Sequence, residues 1–187
     1  MDPEIKSALF RVLPFAFVLV IFFVTIKSGK NNPLALGLVK PNSKFSFILW
    51  LTGYWIFVLL AEIILYKLDI LEIQPWDHPL LSSVLRILGA VILAPISEEL
   101  IFRGLLLNKL ISLKIDKYLA IFLQAALFVL LHNFTYENTL GSNLGIVQSF
   151  IDASLFGFAR YYTRSLYTPI AMHISGNLVA TLERFIL

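Results

Sequence analysis

Apolar residues fall in six long blocks separated by short polar stretches, roughly Leu9–Ile26, Phe45–Tyr66, Leu81–Leu107, Tyr118–Phe134, Leu144–Tyr162 and Tyr167–Ile186. A helix needs about 20 predominantly apolar residues to cross the hydrocarbon core of a bilayer. The pattern therefore predicts an all-α, polytopic transmembrane bundle of about six helices. The intervening segments read as loops. Asn31-Asn32-Pro33 and Lys40-Pro41-Asn42-Ser43 are turn-forming clusters, and Pro75-Trp76-Asp77-His78-Pro79 adds a tryptophan suited to a membrane interface.

Basic residues alternate between the connections. Lys27, Lys30, Lys40 and Lys44 mark the first, against a lone Lys67 among Asp69, Glu72 and Asp77 in the second. Lys109, Lys114 and Lys117 mark the third, none the fourth, and Arg160 and Arg164 the fifth. The lysine and arginine bias places loops one, three and five in the cytoplasm and both termini outside. The expected location is the plasma membrane of a prokaryote, with the first block retained as a helix and not cleaved as a signal.

Composition agrees with this pattern. Of 187 residues, 58% are hydrophobic and 14% charged, whereas soluble domains carry about 25% charged residues. Mean hydropathy is +0.82. The length suits a single transmembrane domain spanning 1–187. A net charge of +3 would suit nucleic acid, but the cations sit in loops, where the topology rule accounts for them. The bilayer is the expected partner, with a peptide or protein substrate at it and no nucleic acid. Cysteine is absent, which excludes disulfides and thiolate catalysis.

Polar groups at membrane depth are costly and ask for a partner or a watered cavity. Glu98, Glu99 and Arg103 form Glu-Glu-x-x-x-Arg in the third block. On a helix Glu99 and Arg103 are one turn apart and can pair, while Glu98 points about 100° away. Glu99 is then expected to be held by Arg103, leaving Glu98 to face a cavity. Simple hydration at an interface would account equally for both carboxylates taken alone. His132 follows Phe128 by four residues in the fourth block; His173 and Asn177 share one face of the sixth. If blocks three and four form a hairpin turning at Lys114–Lys117, Glu99 and His132 lie level, about 25 Å from the turn. His173 and Asn177 lie only about 12–18 Å from theirs, so all four are level only if the hairpin protrudes by about two turns.

Glu62, Arg86 and Asp152 are further polar residues that either line the cavity or snorkel and pair. His78 reads as a surface residue. Gly145, Ser149, Ala153 and Gly157 recur every fourth residue and read as a packing stripe.

Three motifs in order carry a family resemblance. Pro95-Ile96-Ser97-Glu98-Glu99-Leu100-Ile101-Phe102-Arg103-Gly104, Phe128-Val129-Leu130-Leu131-His132 and His173-Ile174-Ser175-Gly176-Asn177 resemble the motifs of the CAAX protease and bacteriocin-processing family (CPBP, or Abi). The family-like core covers approximately 82–187. The resemblance implies an intramembrane endopeptidase of the glutamate type. Glu98 and His132 would activate water, His173 and Asn177 would serve as neutral donors to an oxyanion, and Glu99 with Arg103 would support them. It also implies two alternatives. One is zinc held by Glu98, His132 and His173, against which the lack of a His-Glu-x-x-His helix argues. The other is a non-proteolytic bacteriocin-immunity or scaffold role. A small transporter fits least, since no repeated halves or broken helices are visible.

Overall fold

The computed structural model describes residues 1–70, 73–132 and 139–186. Their regular structure is helical: α1 (Pro3–Lys27), a one-turn α2 (Pro33–Leu36), α3 (Lys44–Lys67), α4 (Leu80–Ser112), α5 (Lys117–His132), α6 (Leu140–Thr163) and α7 (Tyr167–Ile186). All six predicted blocks are helices. The second connection at residues 71–72, the fourth at 133–138 and the expected end of the fourth block at Phe134 lie outside the described residues.

Local chemistry sets the boundaries. Asp2, Ser43 and Thr139 cap α1, α3 and α6 by accepting the N–H groups of Glu4, Ser46 and Ser142. Lys114 and Arg164 take left-handed backbone at the two turns, with φ of 63° and 57°. The first of these is the predicted turn, and Asp116 then accepts the Tyr118 and Leu119 N–H groups to start α5. Asn32-Pro33 departs from expectation. Asn32 caps Leu34, Pro33 occupies the first helical position, and Gly37 ends α2 at φ 81°. The loop after α2 then locks to the α6–α7 turn, where Leu166 N–H donates to Gly37 O at 2.7 Å and Ser165 Oγ to Val39 O at 2.6 Å.

The helices α1, α3 and α4 are long and apolar enough to cross a membrane, and α5 is a shorter apolar helix. Along α3 only Tyr54 and Val58 are buried, while Ile48, Leu49, Ile56, Leu60, Ile63 and Ile64 are exposed. A helix apolar on its outer face as well as its inner one belongs in lipid. The protein is an integral membrane helical bundle.

Three apolar clusters tie the bundle together. Tyr54, Phe156 and Met172 join α3, α6 and α7; Phe22, Leu36, Leu100 and Leu166 join α1, α2 and α4 to the start of α7. Phe102, Phe128 and Ala153 join α4, α5 and α6. The 33-residue α4 is about 50 Å long, well over the roughly 30 Å of hydrocarbon. It widens into π-type turns at Leu88–Leu93 and Leu100–Leu106, on either side of the acidic pair.

The small-residue stripe on α6 changes role along its length. A Cβ on Gly157 would lie 2.9 Å from Ile121 and Gln124, so this end does seat α5 closely. Ser149 instead lines a cavity, and nothing lies within 4 Å of a Cβ on Gly145.

A candidate active site inside the bundle

Glu98 is the centre of the site. His132 Nε2 lies 3.4 Å from Glu98 Oε1, and His173 Nε2 lies 3.6 Å from Glu98 Oε2. The three groups line a cavity of about 240 Å³ with Tyr54, Asp152 and Asn177. Helices α4, α5 and α7 each supply one of the groups that converge. The overhang required for this is present. Glu98 stands 14 residues before the end of α4 and His173 six residues after the start of α7. Along parallel axes the α4–α5 hairpin then overhangs the α6–α7 turn by about 12 Å, a little over two turns.

Each imidazole is fixed through its other nitrogen. His132 Nδ1 lies 2.7 Å from the carbonyl oxygen of Phe128, which only accepts, so the Nδ1–H donates there. The Phe128 ring also stacks on His132, with centroids 4.1 Å apart. One residue four positions back thus sets both the tilt and the tautomer of the histidine. His173 Nδ1 lies 2.9 Å from Glu99 Oε1, and the Phe156 ring stacks on it at 5.0 Å. Both Nε2 atoms are left facing Glu98.

Glu99 is fully buried and turned away from the cavity, as the helical spacing predicts. Arg103 Nη1 donates to Glu99 Oε1 at 2.8 Å, and its Nη2 donates to Ala153 O at the same distance. The guanidinium lies over Phe128 and Phe156, 5.0 and 5.3 Å from the ring centroids. A charge with no exposure to water is sustained here by a carboxylate, a carbonyl and aromatic faces together. Asn177 Nδ2 donates to the carbonyl of Ala90 at 2.8 Å.

The remaining polar candidates separate. Asp152 lines the cavity. Arg86 instead pairs with Glu4 at 3.1 Å, and Glu62 accepts from Gln148. His78 is not a free surface residue: its Nδ1 lies 3.0 Å from Glu4 Oε2, in the same partly buried network as Arg86. The loop carrying it folds back onto α1, which the sequence pattern did not indicate.

Tyr54 and Gln124 went unnoticed in the sequence. Tyr54 carries no motif on a helix with a largely exposed apolar surface, yet it reaches the cavity against Gly176. A Cβ on Gly176 would lie 2.6 Å from Tyr54 Oη. Gly176→Ala is therefore expected to lower stability by about 1–3 kcal/mol through overpacking. Thermal unfolding in mild detergent reads this, and adding Tyr54→Phe should recover most of the loss. Gln124, fully buried, donates its Nε2 to Ile121 O and Ala153 O, both at 2.9 Å.

A zinc site wants ligand atoms about 2.0–2.2 Å from one point. Here the two Nε2 atoms approach different oxygens of one carboxylate. Among the described residues no three His, Cys, Asp or Glu groups are disposed to hold a metal.

Residues 80–179 match the family model described as type II CAAX prenyl endopeptidase Rce1-like. The chain belongs to that family. The match takes in α4, α5, α6 and most of α7, and so every group that meets at Glu98. It stops short of α1 and α3. An uncharacterized 24.3 kDa protein of Escherichia coli is 27% identical over 140 residues, covering 71% of this chain and 62% of the relative. The chain thus spans under two thirds of that relative's length. No solved structure matches. At the level of the family, then, this is a CAAX-type membrane protease fold, and the converging motif residues are those the sequence resemblance singled out.

Proposed function

We propose that the protein is a glutamate-type intramembrane endopeptidase that hydrolyses a peptide bond in a membrane-associated substrate. One observation carries the reading: two Nδ1-anchored imidazoles present Nε2 to the two oxygens of a single carboxylate, inside a cavity within an apolar bundle. Family membership supports the same reaction class.

In this reading a water binds between Glu98 and His132. Glu98 takes a proton from it as the oxygen attacks the substrate carbonyl, forming a tetrahedral oxyanion. When the C–N bond breaks, the same proton passes from Glu98 to the departing amine. Asn177 donates to the oxyanion through the Nδ2 hydrogen not held by Ala90. His173 does not act in this reading as the neutral donor that the resemblance implied. With Nδ1–H given to Glu99, the neutral ring has an accepting Nε2. It donates only as the imidazolium, for which Glu99 supplies the counter-charge and Arg103 holds that carboxylate in place.

The test is a comparison of membrane proteomes from cells carrying the wild-type protein or Glu98→Ala at equal abundance. The reading expects at least one uncleaved precursor to accumulate in the variant, with its new amino terminus present only in the wild type. Identical terminal peptides in both would reject it.

A further inference from the structure

The acidic motif is preceded by a proline inside a continuous helix, and the proline changes what the helix exposes. Pro95 has no N–H, and its ring crowds the carbonyl four residues back, that of Val91. Around it α4 opens into the π-type turn at Leu88–Leu93, and the Ala94 N–H donates to Gly89 O, five residues back. In a regular helix that N–H would go to Ala90. In a π turn Ala90 would receive from residue 95, which here cannot donate. The Ala90 carbonyl is therefore passed over by both neighbouring positions, and Asn177 Nδ2 takes it at 2.8 Å.

An asparagine amide flips freely between two orientations unless a partner distinguishes its NH₂ from its oxygen. A carbonyl accepts only from the NH₂. The Ala90 contact thus fixes which end of Asn177 is the donor and commits one of its two hydrogens. The other remains for the cavity that Asn177 lines with Glu98 and His173. Pro95 itself is fully buried.

We propose that Pro95 is a positioning residue that frees the Ala90 carbonyl to orient the Asn177 amide toward the oxyanion. The proposal rests on the endopeptidase reading for its catalytic consequence, though not for its geometry. Alanine at 95 restores an N–H and removes the clash, so Ala94 N–H can return to Ala90 and Asn177 loses its exclusive acceptor.

The experiment is a double-mutant cycle on purified protein in lipid nanodiscs, using a quenched fluorogenic peptide selected from a library by wild-type cleavage. Pro95→Ala should lower kcat by about 10- to 100-fold with KM within about twofold. Asn177→Ala should lower it by about 100- to 1,000-fold. The double variant should be no slower than Asn177→Ala. An unchanged kcat in Pro95→Ala, or a Pro95→Ala loss that persists in full without Asn177, overturns the proposal. A second variant avoids dependence on the folding of the first: the α-hydroxy analogue of valine at position 91 weakens the Ala90 carbonyl as an acceptor and should show the same non-additivity. The isotope-labelled side-chain amide signal of Asn177 reads orientation without substrate. One slowly exchanging hydrogen is expected in the wild type and none in Pro95→Ala; no such difference would sink the proposal. If the wild type cleaves no peptide the endopeptidase reading falls, while this signal still decides the role of Pro95.

Discussion

Glu98→Gln is expected to lower kcat by about 1,000-fold or more while leaving the unfolding temperature within a few degrees of wild type. The carboxamide keeps the shape of the side chain and its place between His132 and His173, whose Nε2 atoms lie 3.4 and 3.6 Å from the carboxylate oxygens. It cannot take a proton from water, and a positioned general base is worth about 100- to 10,000-fold by itself. The fold should tolerate the change because glutamine keeps the contacts to both imidazoles, and the buried partner of Arg103 is Glu99. Stopped-time cleavage of the selected peptide, paired with thermal unfolding, separates the two effects. Loss of activity accompanied by unfolding would make Glu98 a structural residue instead.

The largest effect on stability is expected at Arg103. Arg103→Ala removes a guanidinium with no exposed surface and strands Glu99, which then keeps, among the described residues, His173 as its polar partner. Breaking a buried ion pair by deleting one member costs about 3–5 kcal/mol, and the stacking on Phe128 and Phe156 is lost with it. Unfolding by denaturant in mild detergent should register a shift of that order. Arg103→Met with Glu99→Gln should recover a good part of it, because neither position is then left with an uncompensated charge. Activity should not recover, since glutamine at 99 no longer supplies the counter-charge for His173. Arg103→Lys should sit between, as an ammonium lacks the planar fork that reaches Glu99 and the Ala153 carbonyl at once.

The helices were legible because lipid imposes a simple rule on sequence. A helix whose only buried residues are Tyr54 and Val58 must be apolar almost everywhere else, and α3 is. The turn at Lys114 and the pairing of Glu99 with Arg103 were legible for a similar reason, since each depends on residues a few positions apart. The divergence of the two carboxylates followed from the helical angle alone. The end of α4 at Ser112, beyond the apolar block, was implied only by the need to bring His173 level with Glu98.

What the sequence left hidden depends on partners distant in the chain. His173 was expected to pair with Asn177 in one role, yet its Nδ1 is bound to Glu99 on another helix, and that bond fixes which ring nitrogen faces Glu98. Tyr54 reaches the cavity only because Gly176 leaves room on α7, and neither residue signals the other. The partner of Asn177 is a backbone carbonyl exposed by a π turn, and the side-chain pattern of the segment holding Ala90 gives no sign of it. His78 joins Arg86 on Glu4 through a loop contact of the same long-range kind.

The most direct measurement is the mass spectrum of the selected peptide after incubation with purified protein in water enriched in heavy oxygen. The account predicts that the wild type yields two fragments, with one heavy oxygen in the new terminal carboxyl group, and that Glu98→Gln yields none. An intact peptide with the wild type, or labelled fragments in equal yield from Glu98→Gln, would contradict it.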